Sequence, residues 1–180
     1  RPINKLTVEQ LCRSVGVSRQ TFYHYFPSKA HMPLWYSSFC DEVTLREIGR
    51  TLSWNEGLQS YLALLSRERE FLAFTLDRME RNRAERNLAV ERLEAHFRET
   101  VRLRHGADAL DNGRGTEELS FCINVAATVV VRSVSDWMSA GMSMAPEKLA
   151  RLIEAALPQN VLRAIGGQRQ MKKPPQLTRV

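Results

Sequence analysis

A chain of 180 residues has room for one good core, or for a small domain joined to a larger one. Hydrophobic residues at 43% and charged residues at 26% are those of a globular protein, and the longest apolar run, residues 125–131, is shorter than the roughly 20 residues that span a bilayer. The formal charge of +6 is concentrated at the ends, because residues 1–32 carry five basic side chains against Glu9 alone and residues 168–180 carry four with no acid. Basic ends suit phosphate attraction.

Cys12, Cys40 and Cys122 form no CxxC pair, so neither a disulfide framework nor a zinc site is indicated. With no signal peptide ahead of the first elements, the expected location is cytoplasmic.

Apolar residues recur at spacings of three and four, with Gly or Pro between segments, so the sequence predicts an all-α fold. The first helix covers 7–15. Thr7 and Gln10 form a capping-box pattern, Val8, Leu11 and Val15 share one face, and Gly16 stops the helix. The second covers 18–26, with Ser18 as its cap and Pro27 as its stop. Two short helices joined by a glycine turn are the helix-turn-helix arrangement, whose second helix enters a DNA major groove.

With Phe22 and Phe26 turned inward, 100° per residue puts Gln20 and His24 on the outer face, Thr21 and Tyr23 on its flanks and Arg19 in the first turn. Arginine can bridge guanine and glutamine adenine, and a threonine methyl can touch thymine. His24, Tyr25 and Lys29 suit phosphates, and the caps Thr7 and Ser18 complete the expected DNA-facing set.

Further helices are predicted over 28–48, 55–66, 68–77, 81–105, 116–140, 146–157 and 159–165, with a loop over 106–115. Pro33 falls in the second turn of the 28–48 segment and is expected to bend it. The stretch 81–105 reads as a solvated helix with an inward stripe of Leu93, Phe97 and Val101. The tail 166–180 is basic and expected to be disordered.

The segment "LTVEQLCRSVGVSRQTFYHYFPSKAHM" resembles the DNA-binding segment of TetR-type bacterial transcriptional regulators, in its "GVS" turn, its "TFYHYF" core and the following "SK". A weaker likeness lies at 132–153, "RSVSDWMSAGMSMAPEKLARLI", similar to the junction of the last two long helices of that family. The resemblance implies a helix-turn-helix domain over 1–32 and a larger bundle over 33–165 for effector binding and dimerisation. It also implies a helix ahead of "LTVEQL", which this sequence, starting at Arg1 without a methionine, is expected to lack.

The implied partners are double-stranded operator DNA, a second copy of the chain and a small-molecule effector, with no membrane. The implied function is a homodimeric repressor. The alternative is a helical sensor of the same fold that no longer binds DNA.

For the effector pocket the expected residues are Phe71, Phe74, Phe97, Phe121 and Asn124, the last a polar residue amid apolar ones whose partner is a ligand, a neighbouring helix or the other subunit. The dimer face is expected to use Phe121, Val125, Val129, Leu149, Leu152 and Ile153 in the two-fold pairing of two helices per subunit. His31, His96 and His105 have no partner at metal-ligand spacing. No phosphate-loop, dinucleotide or hydrolase motif is present, so neither a metal, a cofactor nor an enzymatic activity is expected.

Overall fold

The computed structural model describes residues 5–72, 83–111 and 115–166, and among these there is no strand. Among the described residues the helices with both ends described are, in order, α1 (Val8–Val15), α2 (Arg19–Tyr25), α3 (His31–Val43), α4 (Trp54–Arg67), α5 (Arg83–His105), α6 (Thr116–Ser139), α7 (Pro146–Ala156) and α8 (Gln159–Gly166). Short 3₁₀ turns at Leu45–Glu47 and Ala107–Leu110 join α3 to α4 and α5 to α6. The predicted 68–77 helix is described only to Leu72, where 69–72 are helical, and the tail lies outside the described residues from 167 onward.

One core holds α4 to α8 together. Leu58, Leu62 and Leu65 of α4 lie at helical spacing and are fully buried, as are Ile123 of α6 and Val161 and Ile165 of α8. The inward stripe of α5, Leu93, Phe97 and Val101, is buried as its spacing predicts, and Trp54 stands edge-on to Phe97 at 5.0 Å. Helix α5 packs along α6, α7 packs on α4, and α8 closes against both α5 and α6.

Thr116–Ser139 is long and apolar enough, by length and composition, to cross a membrane, which the short run at 125–131 does not reveal. Its Ile123, Ala126, Ala127, Val130, Val134, Trp137 and Met138 are nevertheless buried in the protein, and its outer side carries an Arg132–Asp136 ion pair at 2.9 Å.

The 28–48 segment departs from its predicted form. Helix α3 starts three residues later, at His31, so Pro33 is the third residue of its first turn. Amides there have no partner within the helix, so the proline costs no hydrogen bond and imposes no bend. The Ser28 hydroxyl meets the His31 ring at 2.9 Å, and no side chain caps the start of α3. At the other end the chain leaves helical geometry at Thr44, and Gly49, at φ +77°, turns it toward α4. Ser53 and Glu56 then form a capping box that starts α4.

Candidate nucleic-acid interface and the cavity beneath it

The two-helix reader is built from local signals. Thr7 Oγ1 accepts the Gln10 amide at 3.1 Å while the Gln10 side chain accepts the Thr7 amide at 2.9 Å. Gly16, at φ 72°, takes the left-handed conformation that ends α1. Ser18 Oγ accepts the Thr21 amide at 2.9 Å and lies 2.8 Å from the Thr21 hydroxyl. Thr7 and Ser18 are thus caps first, and their hydroxyls already hold their helices.

Only Cys12 and Phe22 are buried in α1 and α2. Val15, which shares a face with Val8 and Leu11, is 71% exposed, while Cys12 is buried. Phe22 and Phe26 contact at 5.6 Å, and Phe26 meets Trp35 edge-on at 6.1 Å, so a run of rings leads from the reader into α3.

Arg19, Gln20, Thr21, Tyr23, His24 and Tyr25 are all exposed on α2, and the His24 and Tyr25 rings brace each other edge-on at 5.0 Å. These exposed side chains include a guanidinium, a carboxamide and two phenols. Lys29 is placed differently. Its Nζ donates to the Leu6 carbonyl at 2.8 Å, tying the turn after α2 to the start of α1. Sequence spacing alone gives no hint of this 23-residue contact.

Behind the reader lies a cavity of about 350 Å³. Tyr25, Phe26 and Pro27 line it from the end of α2, and His31, Leu34, Trp35, Ser38 and Asp41 line it from α3. Tyr61 of α4, Leu88, Arg92 and Leu93 of α5, and Val130, Val134 and Met138 of α6 close the other sides. Its rim is open and apolar, since Tyr25 is 70% and Trp35 58% exposed.

The inner wall holds an ion pair whose acid is buried and whose base is half-buried. Arg92 Nη2 donates to the Asp41 carboxylate and Nη1 to Ser38 Oγ at 2.8 Å, while Tyr61 donates to the same carboxylate. Burial pushes the Asp41 carboxyl above its ordinary value, against the pull of Arg92. Burial likewise pushes the Tyr61 phenol well up.

Below this pair, charged contacts continue along α3 and α5. His96 Nε2 lies 3.1 Å from Glu42, Arg46 bridges Glu42 at 2.6 Å and Glu99 at 3.3 Å, and Arg50 reaches Glu99 at 2.8 Å. Burial holds the His96 imidazole below its ordinary value, and its Nδ1 is buried with no hydrogen-bond partner, so a second proton has no acceptor to meet. The Glu42 contact pulls the other way and is outweighed.

The unfolded chain therefore takes a proton at His96 before the folded protein does. The stability linked to this group is complete above about pH 6.5 and declines as pH falls through that value. Thermal melts of the parent and His96→Gln from pH 8 to 5 should show the parent losing more stability in this window. Parallel curves would remove His96 from the account.

The effector-pocket residues expected from aromatic content are not the ones that line the cavity. Phe97 is spent in the core against Trp54, and Phe71 meets Tyr36 edge-on at 5.7 Å. Phe121 is 69% exposed on the outer side of α6. Asn124 is exposed too, and its amide donates to Glu94 at 2.7 Å, so its partner is the neighbouring helix. Phe74 lies outside the described residues. Arg92 and Asp41 were hidden in sequence by their neighbours: Arg92 sits in a charge-rich stretch that reads as solvated surface. The available signal was the Ser38, Asp41 spacing of three on α3, which puts two hydrogen-bonding groups on one face.

The expected dimer residues divide in two. Leu149 and Ile153 are buried within the chain, because α7 turns this face onto α4. Phe121 and Leu152 are exposed, and Val125 and Val129 are half-buried beside them. The outward patch is thus narrower than periodicity suggests.

Residues 1–32 match the family of bacterial regulatory proteins, tetR family. These residues are a TetR-type DNA-binding segment. Neither a curated protein nor a solved structure matches the chain. The matched residues end at Met32, inside the first turn of α3, so they contain the whole two-helix reader, and the DNA-binding transcriptional role rests on that segment. Among the described residues no cluster of His, Cys, Asp or Glu is arranged to hold a metal ion. All three cysteines are free, and burial pushes the Cys40 thiol up to about 11.

Proposed function

We propose that this chain is a TetR-type regulator, a homodimeric repressor in which residues 33–165 bind a small effector, and that the effector site is the cavity between the reader and the bundle. The observation that carries this reading is the cavity's position: its walls combine the end of the recognition helix with α3, α5 and α6. Ligand pockets of a few hundred Å³, mostly apolar with a few fixed polar groups, are the usual form of such sites. A ligand shifts DNA affinity only if it favours one arrangement of the reader over another, and a site touching both parts meets that condition.

The test is DNA selected from a random pool, followed by electrophoretic shift at several salt concentrations. Binding should weaken steeply with salt, and Arg19→Ala should lower the slope by about 0.9 if Arg19 contacts a phosphate. Gln20→Ala should cost about 1–3 kcal/mol on the selected site and relax the preference at one base pair. Absence of salt-dependent binding would leave a helical sensor of the same fold.

Dimerisation is proposed through the outer face of α6 and α7, where Phe121 and Leu152 stand in water in the single chain. An isologous contact would cover these residues twice and set two readers on a two-fold axis, able to meet half-sites about 34 Å apart or a multiple of that. Phe121→Asp with Leu152→Asp should give a folded monomer, because neither position belongs to the chain's own core. Sedimentation velocity decides: a parent that sediments as a monomer at micromolar concentration removes the dimer.

A further inference from the structure

We propose that the cavity takes an uncharged, mainly aromatic or aliphatic molecule, and that this molecule acts by bridging the end of the recognition helix directly to the bundle. The inference rests on the cavity being the effector site. Its chemistry follows from how the polar wall groups are already occupied. Asp41 and Arg92 are the one acid and the one permanent base in the lining, and they are paired with each other. Tyr61 is held by Asp41 and Ser37, Ser38 donates to the Leu34 carbonyl at 3.1 Å, and Ser135 donates to the Val131 carbonyl at 2.8 Å.

A carboxylate or an ammonium entering this space would bring a third charge into a largely apolar enclosure whose own charges cancel. Beneath the open rim it would lose much of its water and gain no free counter-charge, His31 being already bonded to the Ser28 hydroxyl at 2.9 Å, whereas an uncharged ring loses little and covers Leu34, Leu93, Val130 and Val134. Steric contact supplies the second half of the proposal. Tyr25 and Phe26 line the same space as Leu88 and Val134, so one occupant touches the last residue of α2 and two bundle helices at once. No relay through distant elements is required.

The probes are acetylnaphthalene, naphthoate and naphthylmethylammonium, three molecules of nearly one shape that differ in charge, titrated calorimetrically against the intact protein at pH 7. Acetylnaphthalene should bind at least roughly tenfold more tightly than either ion. Asp41→Asn leaves the Arg92 charge without its counter-charge and should shift the preference toward naphthoate. Arg92→Gln should shift it toward the ammonium.

Saturating acetylnaphthalene should change the affinity of the parent for its selected DNA, and Ala89→Phe, which fills the cavity from within, should reproduce that change without any probe and abolish probe binding. If no probe binds the parent, the effector site itself is wrong. If the probes bind with equal affinity, or an ion binds best, the site stands and the chemical class falls. If acetylnaphthalene binds and leaves DNA affinity unchanged, the bridging action is overturned.

Discussion

Arg92→Ala is expected to destabilise the protein by about 3 kcal/mol, the low end for a buried pair, because Asp41 is buried while Arg92 is only half-buried, and the change leaves the acid without compensation. Asp41 is 6% exposed, and a water entering from the cavity would supply no counter-charge to that carboxylate. The same change frees Ser38 Oγ, which accepts from Arg92 Nη1 at 2.8 Å, and so cuts two side-chain ties between α3 and α5, leaving the His96–Glu42 contact in place. The pair itself is imperfect, since Arg92 Nε is buried without a partner. Its net worth is therefore much smaller than the cost of halving it.

The double change Arg92→Met with Asp41→Leu should recover most of the loss, as apolar replacements of buried pairs commonly do. Urea unfolding of the two single and the double variants measures this. A double variant as unstable as Arg92→Ala would show that the pair stabilises the fold outright, and that the cavity wall depends on its charges for more than their mutual neutralisation.

Why the reader was legible and the cavity was not follows from the range of the interactions. Thr7, Gly16, Ser18 and Phe22 act over three or four residues, so their spacing in sequence is their spacing in space. The cavity draws on Tyr25, Asp41, Tyr61, Arg92 and Val134, which share nothing in sequence except their types. Helical periodicity correctly marks Leu149, Leu152 and Ile153 as carried by an amphipathic helix, yet it cannot say which partner covers which residue. In the structure α4 covers the first and third and leaves the second exposed. Pro33 shows the same limit at a boundary. A three-residue error in the start of α3 moves the proline from the helix's second turn to its first, and reverses its expected effect.

Gly49→Ala should be the most damaging small substitution in the chain, at about 3 kcal/mol or more. Two costs coincide there. The residue sits at φ +77°, where a β-carbon costs roughly 1–2 kcal/mol. That carbon would also lie 2.1 Å from the Ile165 carbonyl oxygen and 2.9 Å from the Ile165 side chain, and a backbone atom in a packed helix has no rotamer by which to retreat. Overpacking of this kind adds typically 1–3 kcal/mol.

Relief requires α8 to move off the turn after α3, and α8 is held on the other side. Ile165 is fully buried, Ala164 O lies 2.8 Å from the His105 ring, and Gly166 leaves no room for a side chain against Trp54. Arg104 also donates to the Gly49 carbonyl at 2.8 Å, so displacing the turn costs that contact as well. The loss should appear as a lower urea midpoint in Gly49→Ala, while Gly16→Ala, with open space around its position and only the backbone cost, should fall by less than half as much. Equal losses at the two glycines would mean that α8 yields freely, and that the packing of the bundle against the end of α3 is looser than these distances imply.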